Sequence, residues 1–371
     1  MLGYKFRLYP SKKTEELLNR HMALCRWLYN RLLEELSRGR VEGRKITQLE
    51  TQALIVKLKE EHPELKGAYS KVLQMVNHQL WLNISALAGL KRNGRKVGRL
   101  RFKGSGWFKT LNYNQSGFKL ENGKLVLSKV GEIPVKLHRK IVGEVKGVIV
   151  KRERSGKWYA IFQVEDEPAP LPRTGRAIGI DMGIKHFLTD TKGRQIENPR
   201  FYERTLQIRI RQKQLSKKQK GSANGEKAKV RLARAHEKLV NQRDDFLHKL
   251  SRFYVRGYDA IAVEDLNIAG MVRNRNLAGK ILDASWGKFL QMLSYKAERA
   301  GRVVVRINPR GTSREHKHGK LDRDYNAALN ILERGQVGLG RPELTPVEME
   351  PLRELITVPA SSVIEAGSPP R

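Results

Sequence analysis

The chain has 371 residues, 39% of them hydrophobic, with 73 Lys and Arg against 38 Asp and Glu, a formal charge of +35. Length and apolar content allow real cores in two or three domains, and so large a charge excess points to a polyanion as partner. The basic residues are spread along the chain rather than gathered on one amphipathic helix, and no apolar run approaches the roughly 18 residues of a membrane span, so an anionic membrane is only the runner-up and no membrane partner is expected.

The N-terminal MLGYKFRLYP lacks the apolar core of a secretory signal, and the one cysteine, Cys25, leaves no disulfide framework and no Cys-rich zinc site. Cys25 lies among Leu24, Trp27 and Leu28 and reads as a core filler. A cytoplasmic protein that handles nucleic acid is expected. Gly3–Leu8 alternates as a half-buried strand, ended by Pro10. Leu17, Leu18, Met22, Leu28, Leu32 and Leu36 form a helical stripe over Lys12–Ser37, which Ser11 can cap. Helices follow over Thr47–Glu61, stopped ahead of Pro63, and over Ser70–Lys91. Lys91–Gly106, KRNGRKVGRLRFKGSG, is a basic, glycine-rich connection suited to phosphate contact.

Six short stretches between Phe108 and Gln163 read as strands, with turns at Glu121-Asn122-Gly123 and Arg154-Ser155-Gly156. They predict a compact β-barrel. Gly3–Leu8 has no strand partner among the helices, so it is expected to join that barrel, which makes the helices an insertion. Asp166–Thr174, with three prolines, is a linker. Ala177–Thr189, AIGIDMGIKHFLT, reads as strand, turn, strand. Arg200–Lys249 is a very basic helical hairpin broken at Gly221–Gly225, with too few acids to pair its bases. A strand at Ala260–Leu266, a helix over Lys280–Gly301, a strand at Val303–Asn308 and a helix within Leu321–Gly335 follow. From Gln336 onward, Gly, Pro and Glu accumulate with little periodicity, which predicts a disordered or loosely attached tail.

Three acids carry the chemistry. Asp181 ends the first strand of the hairpin, Glu264 ends AIAVE, and Asp322 and Asp324 open the late helix. Two strands and one helix can bring Asp181, Glu264 and one of these aspartates together, and hard oxygen ligands of this kind hold the Mg²⁺ or Mn²⁺ ions of phosphodiester hydrolysis. Asp322, at the helix boundary, can cap it. Asp324, inside the first turn, is free to project at metal and is chosen. Asp190, Asp259 and Asp265 are reserves.

At these residues the chain resembles a known family. GIDMGIKHFLTD, AVEDLNIAGM, and NPRGTS followed by LDRDYNAALNIL resemble the three RuvC motifs of TnpB, an insertion-sequence-encoded family related to type V CRISPR effectors. YKFRLYPSKKTEELL, CRWLYN and RFKGSG are similar to TnpB as well. The resemblance implies an α/β RNase H-like (RuvC) nuclease domain over 171–336, with the basic hairpin at 200–250. It also implies an N-terminal β-barrel (wedge) over 1–10 and 100–170 with a helical insertion over 11–99, leaving 337–371 as a tail. It implies RNA-guided cutting of double-stranded DNA beside a transposon-adjacent motif, in a prokaryotic, nucleoid-associated setting, with a guide non-coding RNA as partner. By that resemblance Asp181, Glu264 and Asp324 ligate two Mg²⁺ or Mn²⁺ ions. Gln74, Asn77 and Gln79 fall on the family's DNA-facing helix and are candidate base readers. Arg92, Arg95, Lys96, Arg101 and Lys103 are candidate backbone contacts. A monomer is favoured.

One departure is large. Between NPRGTS and LDRDYNAA the family carries two CxxC pairs that bind zinc. Here Arg314–Lys320 has no cysteine, and His316 and His318 cannot complete a four-ligand site. No structural zinc is expected. The competing reading is an RNA-guided DNA-binding repressor or accessory protein with little or no cleavage.

Overall fold

The computed structural model describes residues 1–313, 318, 321–339 and 356–365. Backbone contacts divide it into two units, Met1–Glu167 and Pro168–Arg371.

The first unit is a seven-stranded, nearly closed antiparallel sheet with helices inserted after its first strand. Its strands are β1 (Leu2–Leu8), β2 (Thr110–Asn114), β3 (Phe118–Glu121), β4 (Lys124–Leu127), β5 (Gly131–Lys136), β6 (Glu144–Arg152) and β7 (Trp158–Glu165), in the order β2-β6-β7-β1-β5-β4-β3. The N-terminal strand pairs with β7 along its whole length, Leu2 opposite Val164 and Leu8 opposite Trp158, and with β5 at its end. Its alternation puts Phe6 and Leu8 into the core and Lys5 and Arg7 outside.

The insertion consists of α1 (Lys12–Val41), α2 (Gln48–Glu61) and α3 (Ser70–Arg92). Ser11 caps α1 by accepting from Thr14 N. Thr47 and Glu50 form a reciprocal capping box at α2. Cys25 is fully buried against this core, and burial pushes its thiol up to about 12, which keeps it inert. Asn77 corrects an expectation. It lies fully buried in α3, on the stripe of Leu73, Val76 and Leu80. Its amide is occupied by Thr51 (2.9 Å), the Gln48 carbonyl (3.2 Å) and Gln52 (3.0 Å), so it joins α2 to α3 and cannot read a base.

The second unit is built on a six-stranded sheet, β12-β11-β8-β9-β10-β13. Its strands are β8 (Ala177–Asp181), β9 (His186–Asp190), β10 (Arg194–Glu197), β11 (Ala260–Glu264), β12 (Val303–Ile307) and β13 (Ile356–Val358). β8, β9 and β10 run as an antiparallel meander, while β11 is parallel to both β8 and β12. The helices are α4 (Phe201–Arg204), α5 (Leu206–Ser216), α6 (Ala223–Gly257), α7 (Ile268–Met271), α8 (Arg275–Ala284), α9 (Trp286–Arg299), α10 (Arg323–Leu339) and α11 (Ala360–Glu365).

Every residue of β8 and β11 is buried, as parallel strands with covered faces require. Their large side chains, Ile178, Ile180, Ile261 and Val263, pack with Phe246, Leu250 and Tyr254 of α6 and Phe289 and Leu293 of α9. The alternate positions, Ala177, Gly179, Ala260 and Ala262, are small. On that face Ala177 and Ala260 pack with Leu332, and Ala262 with Ile331. The helix approaches so closely that a methyl group on Gly179 would overlap the Ala328 carbonyl oxygen and lie 2.8 Å from Leu332 N. Gly335 makes the reciprocal approach, with its own added methyl 2.6 Å from Ala262 Cβ.

Two differences from the sequence reading stand out. The helix expected over Lys280–Gly301 is broken by Ser285, whose left-handed φ of 58° separates α8 from α9. The expected disordered tail contributes β13, paired in parallel with β10 from Arg194 opposite Ile356 to Ile196 opposite Val358, and then α11. The pairing gives the outer edge of β10 a partner. His316 and most of Arg314–Lys320 lie outside the described residues, and His318 is exposed. Among the described residues, no helix is long and apolar enough to cross a membrane.

Candidate active site

Period-two alternation decides where the acids go. Asp181 shares a strand face with Ala177 and Gly179, and Glu264 shares one with Ala260 and Ala262. Both carboxylates therefore lie on the face covered by α10, at the ends of neighbouring parallel strands. Asp181 is 8% exposed and Glu264 7% exposed.

The start of α10 supplies the third acid. Asp322 Oδ1 accepts from the backbone N–H groups of Asp324 and Tyr325, each at 3.1 Å, and its carbonyl accepts from Asn326 N at 2.8 Å. Asp322 is thus the helix cap. Asp324, in the first turn, adds its charge to the field at Asp181.

Burial, then the charges of Glu264 and Asp324, push the Asp181 carboxyl up to about 7, against a smaller lowering by Arg323 and the Met182 backbone N–H. Burial also raises Glu264, partly offset by a hydrogen bond from Thr312 and the charge of Arg334. The donor set fits a divalent cation that prefers oxygen: carboxylates only, little water and clustered negative charge. The three are not drawn into one ligand cage, since no group of three acid, His or Cys side chains among the described residues stands at metal-ligand spacing. Instead Glu264 Oε1 accepts from the Thr312 hydroxyl, and Asp324 Oδ1 accepts from Arg323 at 3.2 Å.

The reserve acids are occupied elsewhere. Asp190 is fully buried, bonding Arg194 at 2.7 Å and the Tyr254 hydroxyl at 2.8 Å. Asp259 ties the Thr174–Gly175 backbone and Arg302. Asp265 is exposed and pairs with Arg306 at 3.4 Å.

Two basic surfaces accompany the acids. Only the second half of α6 buries a continuous stripe, Leu239 to Val255, while Lys227, Lys229, Arg231, Arg234 and Lys238 are exposed ahead of it. In the first unit, Arg92, Arg95, Lys96 and Arg101 are exposed, and Lys103 is half-buried. Its backbone is clamped by Asn30, which accepts from Lys103 N at 2.7 Å and donates to Lys103 O at 3.0 Å. Lys103 also lines a cavity of about 190 Å³ with Gln79, Asn83, Trp107, Phe108 and Asn112. Gln74 and Gln79 are exposed on α3, and Gln79 donates to Asn83 at 3.1 Å. Sequence reasoning passed over Thr312, Asn330 and Arg334. The available signal was a polar pair four residues apart, Asn330 and Arg334, on a helix whose other inward positions, Asn326 apart, carry no charge or amide.

A barrel with inserted helices and a RuvC-like α/β unit with carboxylates at adjacent strand ends define the architecture of a nuclease of the RNase H-like class. Comparison with known proteins makes the assignment specific. Family models match residues 161–275 ("Probable transposase"), 1–45 ("Helix-turn-helix domain") and 286–331 ("Cas12f1-like, TNB domain"). In this structure residues 1–45 form β1 and one unbroken helix, α1, rather than two helices. A relative from Streptomyces pristinaespiralis, named "Putative RNA-guided DNA endonuclease", is 33% identical over 90% of this chain and 89% of its own. An Escherichia coli K12 relative with the same name and the suffix InsQ is 28% identical over 94% and 97%. The fold is similar to that of Cas12f1 in a Cas12f1–sgRNA–target DNA complex, with a TM-score of 0.50 and 12% identity over 86% of this chain and 83% of the other. The chain belongs to the TnpB family.

Proposed function

We propose that this chain is an RNA-guided endonuclease that cuts double-stranded DNA beside a short adjacent motif, using Asp181, Glu264 and Asp324 as ligands for Mg²⁺ or Mn²⁺. The observation that carries the reading is the buried pair Asp181 and Glu264 at neighbouring strand ends, with Asp324 contributing to the same field. Two such ions, when bound, supply a water of lowered pKa and charge compensation at the leaving oxygen. Asp181 and Glu264, fixed on the sheet, hold negative charge where water is scarce. Asp322 fixes the first turn of α10, so that Asp324 leaves the helix at a defined place.

The partners proposed are a guide RNA and target DNA, neither bound through a membrane surface. The exposed bases of α5–α6 and of Arg92–Arg101 suit sequence-independent contact with phosphate, while guide pairing reads the target. For the adjacent motif, Gln79 and Gln74 remain candidates on α3. Gln79 is favoured because the cavity it lines adds Asn83, Lys103 and the Trp107 ring.

The test is a plasmid carrying a guide-matched target, assayed for binding and cutting. Asp181→Ala, Glu264→Ala and Asp324→Ala are expected to bind and not cut, whereas Asp322→Ala retains substantial cutting. Full cutting by Asp181→Ala refutes the site. The second reading, a guided DNA binder with little cleavage, draws on the pairing of Asp324 with Arg323. Binding of the matched target by the unaltered protein, without any cutting, selects it.

A further inference from the structure

The segment that precedes Arg314 is tied to the acid site by side chains, although it lies far from β11 in sequence. Thr312 is 1% exposed, and its hydroxyl is within hydrogen-bond reach of both Glu264 Oε1 and, at 3.0 Å, the Pro309 carbonyl. The hydroxyl has one proton, and the charged carboxylate is the stronger acceptor. Thr312 is held in turn by α10: Asn330 Nδ2, itself 1% exposed, donates to the Thr312 carbonyl at 2.8 Å. One turn further, Arg334 donates to the carbonyls of Arg310 (2.8 Å) and Asn308 (3.3 Å). The same helix opens with Asp324, so one rigid element carries an acid and also fixes the loop that fixes another acid.

We propose that Thr312 is a positioning residue for Glu264, locking one carboxylate oxygen so that the other is presented to a divalent cation, and that Asn330 and Arg334 hold Thr312 in place. The proposal rests on the metal-centre reading above. A carboxylate at a strand end rotates about three side-chain bonds, and a hydrogen bond to one oxygen from a buried hydroxyl removes most of that freedom. Partners of this kind typically change metal affinity about 10–100-fold when lost. The cation site then depends on residues 308–312, the segment that runs directly into Arg314.

The experiment titrates Mn²⁺ into the full-length, nucleic-acid-free protein and follows the electron paramagnetic resonance signal of unbound Mn²⁺, with the melting temperature of each variant recorded alongside. Thr312→Val keeps the shape and removes the hydroxyl, and is expected to weaken Mn²⁺ binding at least about 10-fold. Thr312→Ser keeps the hydroxyl and is expected to restore affinity to within about threefold. Native affinity in a folded Thr312→Val overturns the proposal. If Thr312→Val does not fold, Arg334→Gln decides: a loss of at least about threefold supports the proposal, and native affinity overturns it. Asp181→Ala separates the two levels of inference. If it binds Mn²⁺ as the unaltered protein does, the metal-centre reading itself fails. If it loses binding while Thr312→Val keeps it, only the positioning role fails.

Discussion

Asp181 gives the sharpest quantitative test, because its burial is a cost that can be removed. Its carboxyl ionises at about 7 in the folded chain, against 3.8 ordinarily. Between those values the folded state holds a proton that the unfolded chain has released, so stability falls as pH rises through the window and levels off above pH 7. Each factor of ten in proton affinity is worth about 1.4 kcal/mol, which bounds the full penalty near 4 kcal/mol, and relaxation around the charge reduces it to about 2–4 kcal/mol. Asp181→Asn keeps the shape and removes the ionisation. At pH 8 in chelator, without nucleic acid, the unit holding it should melt about 5–15 °C higher than in the unaltered protein. At pH 5 the gap should shrink to about a third. Mg²⁺ or Mn²⁺ should stabilise the unaltered protein at pH 8 and leave the Asn variant little changed, because a ligand that binds only the folded state raises its stability. Scanning calorimetry at four pH values between 5 and 8 measures all of this. A pH-independent difference, or an Asn variant that is less stable at pH 8, would refute the electrostatic account of the site.

Further predictions follow from packing and charge. Gly179→Val should lift α10 from β8, costing about 1–3 kcal/mol or more and sharply reducing cutting, as measured by denaturant melts and plasmid cleavage. Asn77→Ala should cost about 1–3 kcal/mol by removing its buried bonds to Thr51, Gln52 and the Gln48 carbonyl. It should not alter the preferred adjacent motif in a randomised-target assay, which a base reader would. RNA affinity should fall roughly 10³-fold between low and moderate salt, and a flat profile in filter binding would count against phosphate neutralisation by the basic helices. Elemental analysis should find no stoichiometric zinc, because Cys25 is the one thiol and is buried in the first unit. One tightly held zinc per chain would bring His316 and His318 back into play.

The parts of the fold written in local pattern were legible. Gly3–Leu8 alternates cleanly and pairs with β7, a strand that begins only at Trp158. The cap at Asp322 followed from its place at the helix boundary, and the observed bonds of Asp322 match it. A place on a helix expected to face DNA does not by itself make Asn77 a base reader. Its spacing from Leu73, Val76 and Leu80 already placed it on the inward stripe. β13 was missed for a different reason. A three-residue strand has no readable period, and its partner Arg194–Glu197 is short and polar, so only the long-range pairing defines either. AIGID and AIAVE share an unread signal, small and large residues alternating before an acid. The large residues mark one packed face, and the small ones mark where a helix can lie close.

That alternation also explains how the site persists despite its electrostatic cost. Bringing α10 down adds the charge of Asp324 to that of Glu264 in the field at Asp181, a repulsion that Arg323 offsets only in part. The helix is held against it by Ala327, Ala328, Ile331 and Leu332, all buried, and by the contacts that Gly179 and Gly335 permit. Burying each Leu- or Ile-sized side chain contributes about 1.5–3 kcal/mol, comparable to the penalty at Asp181. Packing and charge thus pull on one helix in opposite directions. Larger side chains at Gly179 or Ala262 would separate the acids and relieve the repulsion, but would also dismantle the site. The small residues beneath α10 are therefore as much a part of the acid centre as the carboxylates they bring together.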